Sequence, residues 1–200
     1  MAIRDLLWAC PVCGTFAAIR AAERRTERCN RCGTTYRRAR GASIEVRERG
    51  GEAQTYQPAT LVDRLPPVSE MPLPNGRLGP AHARVRVART TTPVRDKEDF
   101  LGRVEVFGAA MNATATLDDR TLAAGIPESP LVWPLETITA VQPSSSTLQI
   151  NSRAHPLVSF RFIDQSVRLW EEALQERLRR IHRDAGRGRI VQFHPHIRFE

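Results

Sequence analysis

The sequence predicts a mainly β protein in two units: a small cysteine-bearing one at the N-terminus and a larger sheet closed by one C-terminal helix. Three observations carry this. All four cysteines of the 200 residues stand as two pairs, Cys10/Cys13 and Cys29/Cys32, each pair followed by a glycine. Between residues 81 and 164, short stretches alternate apolar and polar side chains, the period of a half-buried strand. From residue 166 onward the apolar spacing lengthens to that of a helix.

Each Cys-x-x-Cys gap lets one tight turn aim two sulfurs at a single point, and Gly14 and Gly33 supply the positive φ that such turns often require. Fifteen residues separate the pairs, enough for a hairpin that brings the second turn opposite the first. Residues 16–19 open that insert, and "TTYRRA" and "SIEVRER" read as further strands. Four thiolates in a tetrahedron suit Zn2+, with Zn–S near ~2.3 Å, and iron takes the same sulfur set. All four positions are protein atoms, so the expected ion is structural and not catalytic. In a unit of fifty residues it supplies much of the folding free energy. A dithiol oxidoreductase would carry a single pair at a helix start within an α/β pattern, which is absent. The module resembles a zinc ribbon with two rubredoxin-type knuckles, CPxCG and CxxCG, over residues 6–50.

Residues 51–80 are expected to be a linker. Pro58, Pro66, Pro67, Pro72, Pro74 and Pro80 remove amide donors and fix φ, which predicts an extended connector. Leu61, Val62, Leu65, Met71 and Leu73 remain available to dock on a neighbour.

The second domain is expected over residues 81–186. "ARVRVART", "GRVEVFGAA", "ATATLDD", "TLAAG", "STLQINS" and "PLVSFRFID" read as strands, and "LVWPLETITAVQ" ends in one. Asp118, Asp119 and Arg120 form a hairpin turn. Val167, Trp170, Leu174, Leu178 and Ile181 mark one stripe of a helix. Asp164 or Ser166 caps it, its glutamates come early and its arginines late, and Gly186 and Gly188 stop it. The tail, residues 187–200, alternates again.

This stretch resembles a pleckstrin-homology (PH) or GRAM-type domain, on "ATATLDDRTLAAG", "WPLETITAVQ", "TLQINS" and "LVSFRFIDQSVRLWEEALQERLRRI". The resemblance implies a bent, half-open barrel with Trp170, Leu174 and Leu178 plugging one end. It also implies docking on phosphoinositide headgroups, acidic lipids or protein segments. Near the first hairpin, Arg84, Arg86, Arg89, Arg95, Lys97 and Arg103 are diluted by Asp96, Glu98 and Asp99. Docking on protein is therefore at least as well supported as a phosphoinositide pocket.

The net charge is +8, and residues 1–50 hold eleven arginines against five acids. Arg24, Arg25, Arg28, Arg31, Arg37, Arg38 and Arg40 are the candidate contacts for an anionic partner. No glycine-rich phosphate loop, nucleophilic serine motif or HExxH occurs. His82, His155, His182, His194 and His196 have no supporting carboxylate or thiol pattern. No apolar run is long enough to span a bilayer, and the N-terminus lacks a signal-peptide core. Paired reduced cysteines fit the cytoplasm. The expected protein is a non-enzymatic, zinc-binding cytoplasmic adaptor. It docks on a protein partner, or peripherally on an anionic membrane surface, through the PH/GRAM-like domain. The alternative is a nucleic-acid-binding protein of transcription or translation that uses the basic ribbon, with Tyr36 and Phe16 as stacking residues.

Overall fold

Five short strands follow the first cysteine turn and pair as a simple meander. They are β1 (Ile19–Glu23), β2 (Thr26–Cys29), β3 (Thr35–Arg38), β4 (Ile44–Arg47) and β5 (Ala53–Tyr56), all antiparallel and in chain order. The computed structural model describes residues 2–23, 25–96, 99–126, 130–144 and 146–186, with the side chains of 74 and 91–104 left aside. Arg24, Lys97 and the tail 187–200, with His194 and His196, lie outside the described residues, as do the side chains of Arg95 and Arg103.

Alternation selects which face of this sheet is buried. Tyr36 pairs with Val46 and Arg38 with Ile44, so the apolar members share a core with Ile19 and Cys29. Ile3 and Leu7, at the ends of the short helix α1 (Ile3–Leu6), cover that core. Glu27 holds α1 in place: its two carboxylate oxygens accept the backbone N–H groups of Ile3 and Arg4 at 3.2 and 2.6 Å.

The proline-rich stretch is packed along much of its length, and β5 and a second helix interrupt the extended connector expected there. Pro58 opens α2 (Pro58–Val62), where its missing N–H costs nothing. Leu61 is buried in the first core, Val62 and Leu65 touch both cores, and Val68 is buried in the second. Prolines fix the backbone but leave the apolar side chains between them free to pack, so the segment works as a strap.

The larger sheet begins at Leu78. Its strands are β6 (Leu78–Asp96), β7 (Asp99–Phe107), β8 (Met111–Leu117), β9 (Thr121–Gly125), β10 (Leu131–Pro134), β11 (Ile138–Pro143), β12 (Leu148–Ser152) and β13 (Val158–Phe162). The order is β10-β9-β8-β6-β13-β12-β11, antiparallel throughout, and the outer half of β6 pairs with β7. The edge strands β10 and β11 are joined directly by the 3-10 turn Leu135–Thr137, so the sheet bends until its edges meet at one corner. The barrel is nearly closed. Ala81, Ala83 and Val85 of β6 point in, while His82, Arg84 and Arg86 point out.

Helix α3 (Val167–Asp184) lies on this core. The Ser166 Oγ accepts the Leu169 N–H and caps it, and Gly186 follows with φ +63°. Trp170 is fully buried and stacks on Phe162 with ring centroids 4.5 Å apart. Leu174 and Leu178 continue the stripe. The fold class is the expected one, mainly β with a helix-capped, barrel-like sheet. Arg177, also buried, ties α3 to its surroundings. It donates to the Ala173 carbonyl at 3.0 Å, and its Nε lies 3.7 Å from Asp119.

The predicted turn between β8 and β9 closes through Asp118. Its Oδ1 accepts the N–H groups of Arg120 and Thr121 at 2.9 and 2.7 Å, and its Oδ2 accepts the Thr121 hydroxyl at 2.9 Å. Burial works to raise the Asp118 pKa, but these donors and nearby Arg77 prevail and hold it below the ordinary aspartate value. Asp118→Ala is expected to cost on the order of 1 kcal/mol at pH 7, discounted for solvent screening of a partly exposed group. Because the folded-state pKa is depressed, this contribution is complete above pH ~4 and fades as acid protonates the native carboxylate. Urea unfolding of both proteins across pH 2–7 checks it; a gap at pH 2 as large as that at pH 7 would refute the assignment.

The two units are fused. Leu7 and Cys10 belong to the first core, whereas Trp8 and Ala9 between them belong to the second. The Trp8 indole N–H donates to the Pro66 carbonyl at 3.0 Å, and the Ser166 hydroxyl donates to the Asp5 carbonyl at 2.6 Å.

Candidate metal centre

The two cysteine turns have the same local structure. Gly14 N–H donates to the Cys10 carbonyl at 2.8 Å, and Gly33 N–H to the Cys29 carbonyl at 3.0 Å. Cys10 N–H donates to the Thr15 carbonyl at 3.0 Å, and Cys29 N–H to the Thr34 carbonyl at 2.8 Å. Gly14 and Gly33 have φ of +70° and +80°, as their positions require. The first turn leads into β1 after residues 14–18, and the second links β2 to β3. The hairpin β1–β2 therefore carries one turn back to the other, with Ile19 opposite Cys29.

All four sulfurs lie within 4.8 Å of one another. Cys10 and Cys32 sulfurs are 3.6 Å apart, and those of Cys13 and Cys29 are 3.8 Å apart. A tetrahedron with metal–sulfur bonds of ~2.3 Å has edges of about 3.8 Å, so the donor set fits one such cation. Cys10 and Cys29 are fully buried, Cys13 is exposed and Cys32 lies between. Burial pushes the Cys10 thiol up to about 12. At Cys13 burial acts the same way, but the hydrogen bonds from Thr15 prevail and hold it at about 6. Among the described residues no other group of histidines, cysteines or acids converges in this way. His155 instead hydrogen-bonds the Val132 carbonyl through Nε2.

Three residues around the sulfurs were not singled out as metal-site partners by sequence reasoning. The Tyr36 hydroxyl lies 2.9 Å from the Cys10 Sγ, and Tyr36 is fully buried. Thr15 and Thr34 bring their hydroxyls to 3.3 and 3.1 Å from Cys13 and Cys32. The threonines had a signal: both turns read C-x-x-C-G-T. Tyr36 had none, because its partner stands 26 positions away. Tyr36→Phe is expected to weaken the binding of added Zn2+ about 10- to 100-fold, as loss of an outer hydrogen bond to a ligand does. Competition with a chromophoric chelator measures it; unchanged affinity would show that the hydroxyl does not support Cys10.

Burial also withdraws Tyr36 from stacking, and Phe16 packs against the second core. The arginines divide. Arg25, Arg37, Arg38 and Arg40 line, with Arg4, an open groove of about 910 Å³ at the far end of β1–β3. Glu23 and Glu27 also line it; Arg4 pairs with Glu27 at 3.5 Å, and Arg37 with Glu45 at 2.9 Å. Arg28 and Arg31 sit apart, at the second cysteine turn, where Arg28 Nε donates to the Gly33 carbonyl at 3.3 Å.

No protein-family model and no curated protein matches the chain. Among solved structures it is similar to the N-terminal PH domain of human ARAP2. That likeness has 10% identity and a TM-score of 0.35, and covers 63% of this chain and 96% of that one. Among the described residues no helix is long and apolar enough to cross a membrane.

Proposed function

We propose that the protein is a non-enzymatic adaptor, stapled by one structural zinc ion, that docks on a protein partner or an anionic membrane surface. The observation that carries this is the closed sulfur set. Cys10, Cys13, Cys29 and Cys32 converge on one point, so each coordination position is filled by protein and none remains for a substrate. The zinc-ribbon-like unit it would hold is fused to the PH-like barrel through Trp8 and the strap. The groove of Arg25, Arg37, Arg38 and Arg40 supplies the anion contact, and its strength falls with salt because exposed charges are screened over ~8–10 Å.

Two measurements test this. Elemental analysis of protein purified without added metal is expected to give one zinc per chain. Flotation with anionic but not neutral vesicles at physiological salt, lost in R25E/R38E/R40E, would place the contact on membranes. Capture of an acidic protein segment, lost in the same variant, would place it on protein. Failure of both would remove the docking reading.

A further inference from the structure

The outer face of the central strands of the barrel collects four arginines that pair with no acid among the described residues. On β6, Arg84 and Arg86 point outward; on β13, Arg161 does. The register sets Arg84 directly opposite Arg161 and Arg86 opposite Ser159. Side chains so placed are about 5 Å apart at Cβ, and like charges there destabilise a sheet. The second pair of arginines meets at Gly108. Arg86 Nε donates to the Gly108 carbonyl at 3.2 Å, with its guanidinium 5.7 Å from the Phe107 ring centroid. A Cβ on Gly108 would stand 2.9 Å from Arg89 Nε, so Arg89 lies over the same glycine. Among the described residues, none of these four arginines forms an ion pair with a carboxylate.

The neighbouring outward positions are polar and uncharged. Asn112 of β8 stands opposite Arg84, Thr114 opposite His82, and Gln149 of β12 opposite Ser159. The large exposed apolar side chains that flank the patch, Ile163 beside His82 and Val106 opposite Thr90, stand eight residues of β6 apart, so they do not make the continuous apolar face that a membrane-inserting surface presents beside its basic residues. Beyond the patch one acid stands before the next arginines. Ile163 and Asp164 follow Arg161 along the chain, and the Asp164 carboxylate is already held by the His82 N–H at 3.0 Å. Asp164 shares a small recess with Arg20 and Arg4, and Arg4 also lines the arginine groove of the N-terminal unit.

We infer that this face binds the phosphate backbone of a single-stranded nucleic acid, which runs over Arg86, Arg89, Arg84 and Arg161 toward Arg20 and Arg4. Guanidinium groups take phosphate oxygens in bidentate fashion. A linear polyanion matches a row of such groups better than a compact ligand does. It also relieves the repulsion between Arg84 and Arg161. Asn112, Thr114, Gln149 and Ser159 offer donors and acceptors to sugars and bases. The inference stands on β6, β8, β12 and β13 and does not rest on the metal centre.

The test is fluorescence anisotropy of a labelled 20-nucleotide single strand, as DNA and as RNA, with the zinc-loaded full chain. Four phosphate contacts at a slope of about −0.7 each predict binding that weakens about 50-fold between 50 and 200 mM salt. R84Q/R161Q and R86Q/R89Q are each expected to lower affinity by about tenfold and to flatten the salt slope by about 1.4. R84Q/R161Q should melt no lower than the parent, since it removes like charges. Should a pair misfold by circular dichroism, R161Q alone serves, with a slope change of about 0.7. No binding at 50 mM salt overturns the inference. So does binding that survives both pairs, or a loss of vesicle flotation in these variants with oligonucleotide binding intact.

Discussion

Cys29→Ser is expected to empty the metal centre and to melt the first sheet while leaving the barrel folded. Cys29 is fully buried, sits in the core beside Ile19 and Tyr36, and supplies one of the four sulfurs. Serine offers a hard, poorly ionised oxygen in place of a soft thiolate, which Zn2+ disfavours. In small metal-held modules, apparent binding free energies of about 10–16 kcal/mol are at the same time folding free energies. The core of this unit is too small to offset such a loss. Zinc per chain should fall from the proposed one to near zero. Backbone amides of β1–β5 should lose hydrogen-exchange protection, while those of β6, β8 and β13 retain it. A chelator added to the native chain should reproduce the pattern. A variant that keeps one zinc and full protection would mean that Cys29 is not a ligand. Collapse of the barrel as well would mean that the junction at Trp8 transmits the loss.

Trp170→Ala should be among the most damaging single changes in the barrel. The side chain is fully buried, stacks on Phe162 at 4.5 Å, and donates its indole N–H to the Gln165 Oε1 at 2.9 Å. Truncation removes the transfer free energy of an aromatic side chain and leaves a cavity beneath α3, about 3–5 kcal/mol in all. That is a large part of the 5–15 kcal/mol that ordinary domains possess. Denaturant unfolding should show a lower midpoint with an unchanged slope, and Trp170→Phe should recover part of the loss. A cost below about 1 kcal/mol would show that the helix does not plug the barrel as packed.

Much of this could be read in the sequence wherever the signal is local. The knuckles are short turns whose geometry is set by C-x-x-C-G itself. The stripe of α3 is a period within one helix, and Ser166 stands where a cap belongs. Strands β8, β9, β12 and β13 alternate cleanly because one face is dry and the other wet. The strap was less legible, since its prolines report backbone stiffness and say nothing of whether Leu61, Leu65 and Val68 have a surface to meet. Of the seven candidate arginines, chosen for composition, the fold separates the six described ones into a groove and a knuckle pair.

By itself, the sequence determined the sulfur set, the mainly β class and the capping helix, because each depends on spacings of a few residues. Only the tertiary structure decided that the two units are fused through Trp8, that Tyr36 serves Cys10, and that Arg84 faces Arg161 from 77 positions away. The reason is physical. Strand register across a closing sheet is chosen by which side chains the whole core can bury, and a shift of one residue would turn every one of them to the opposite face.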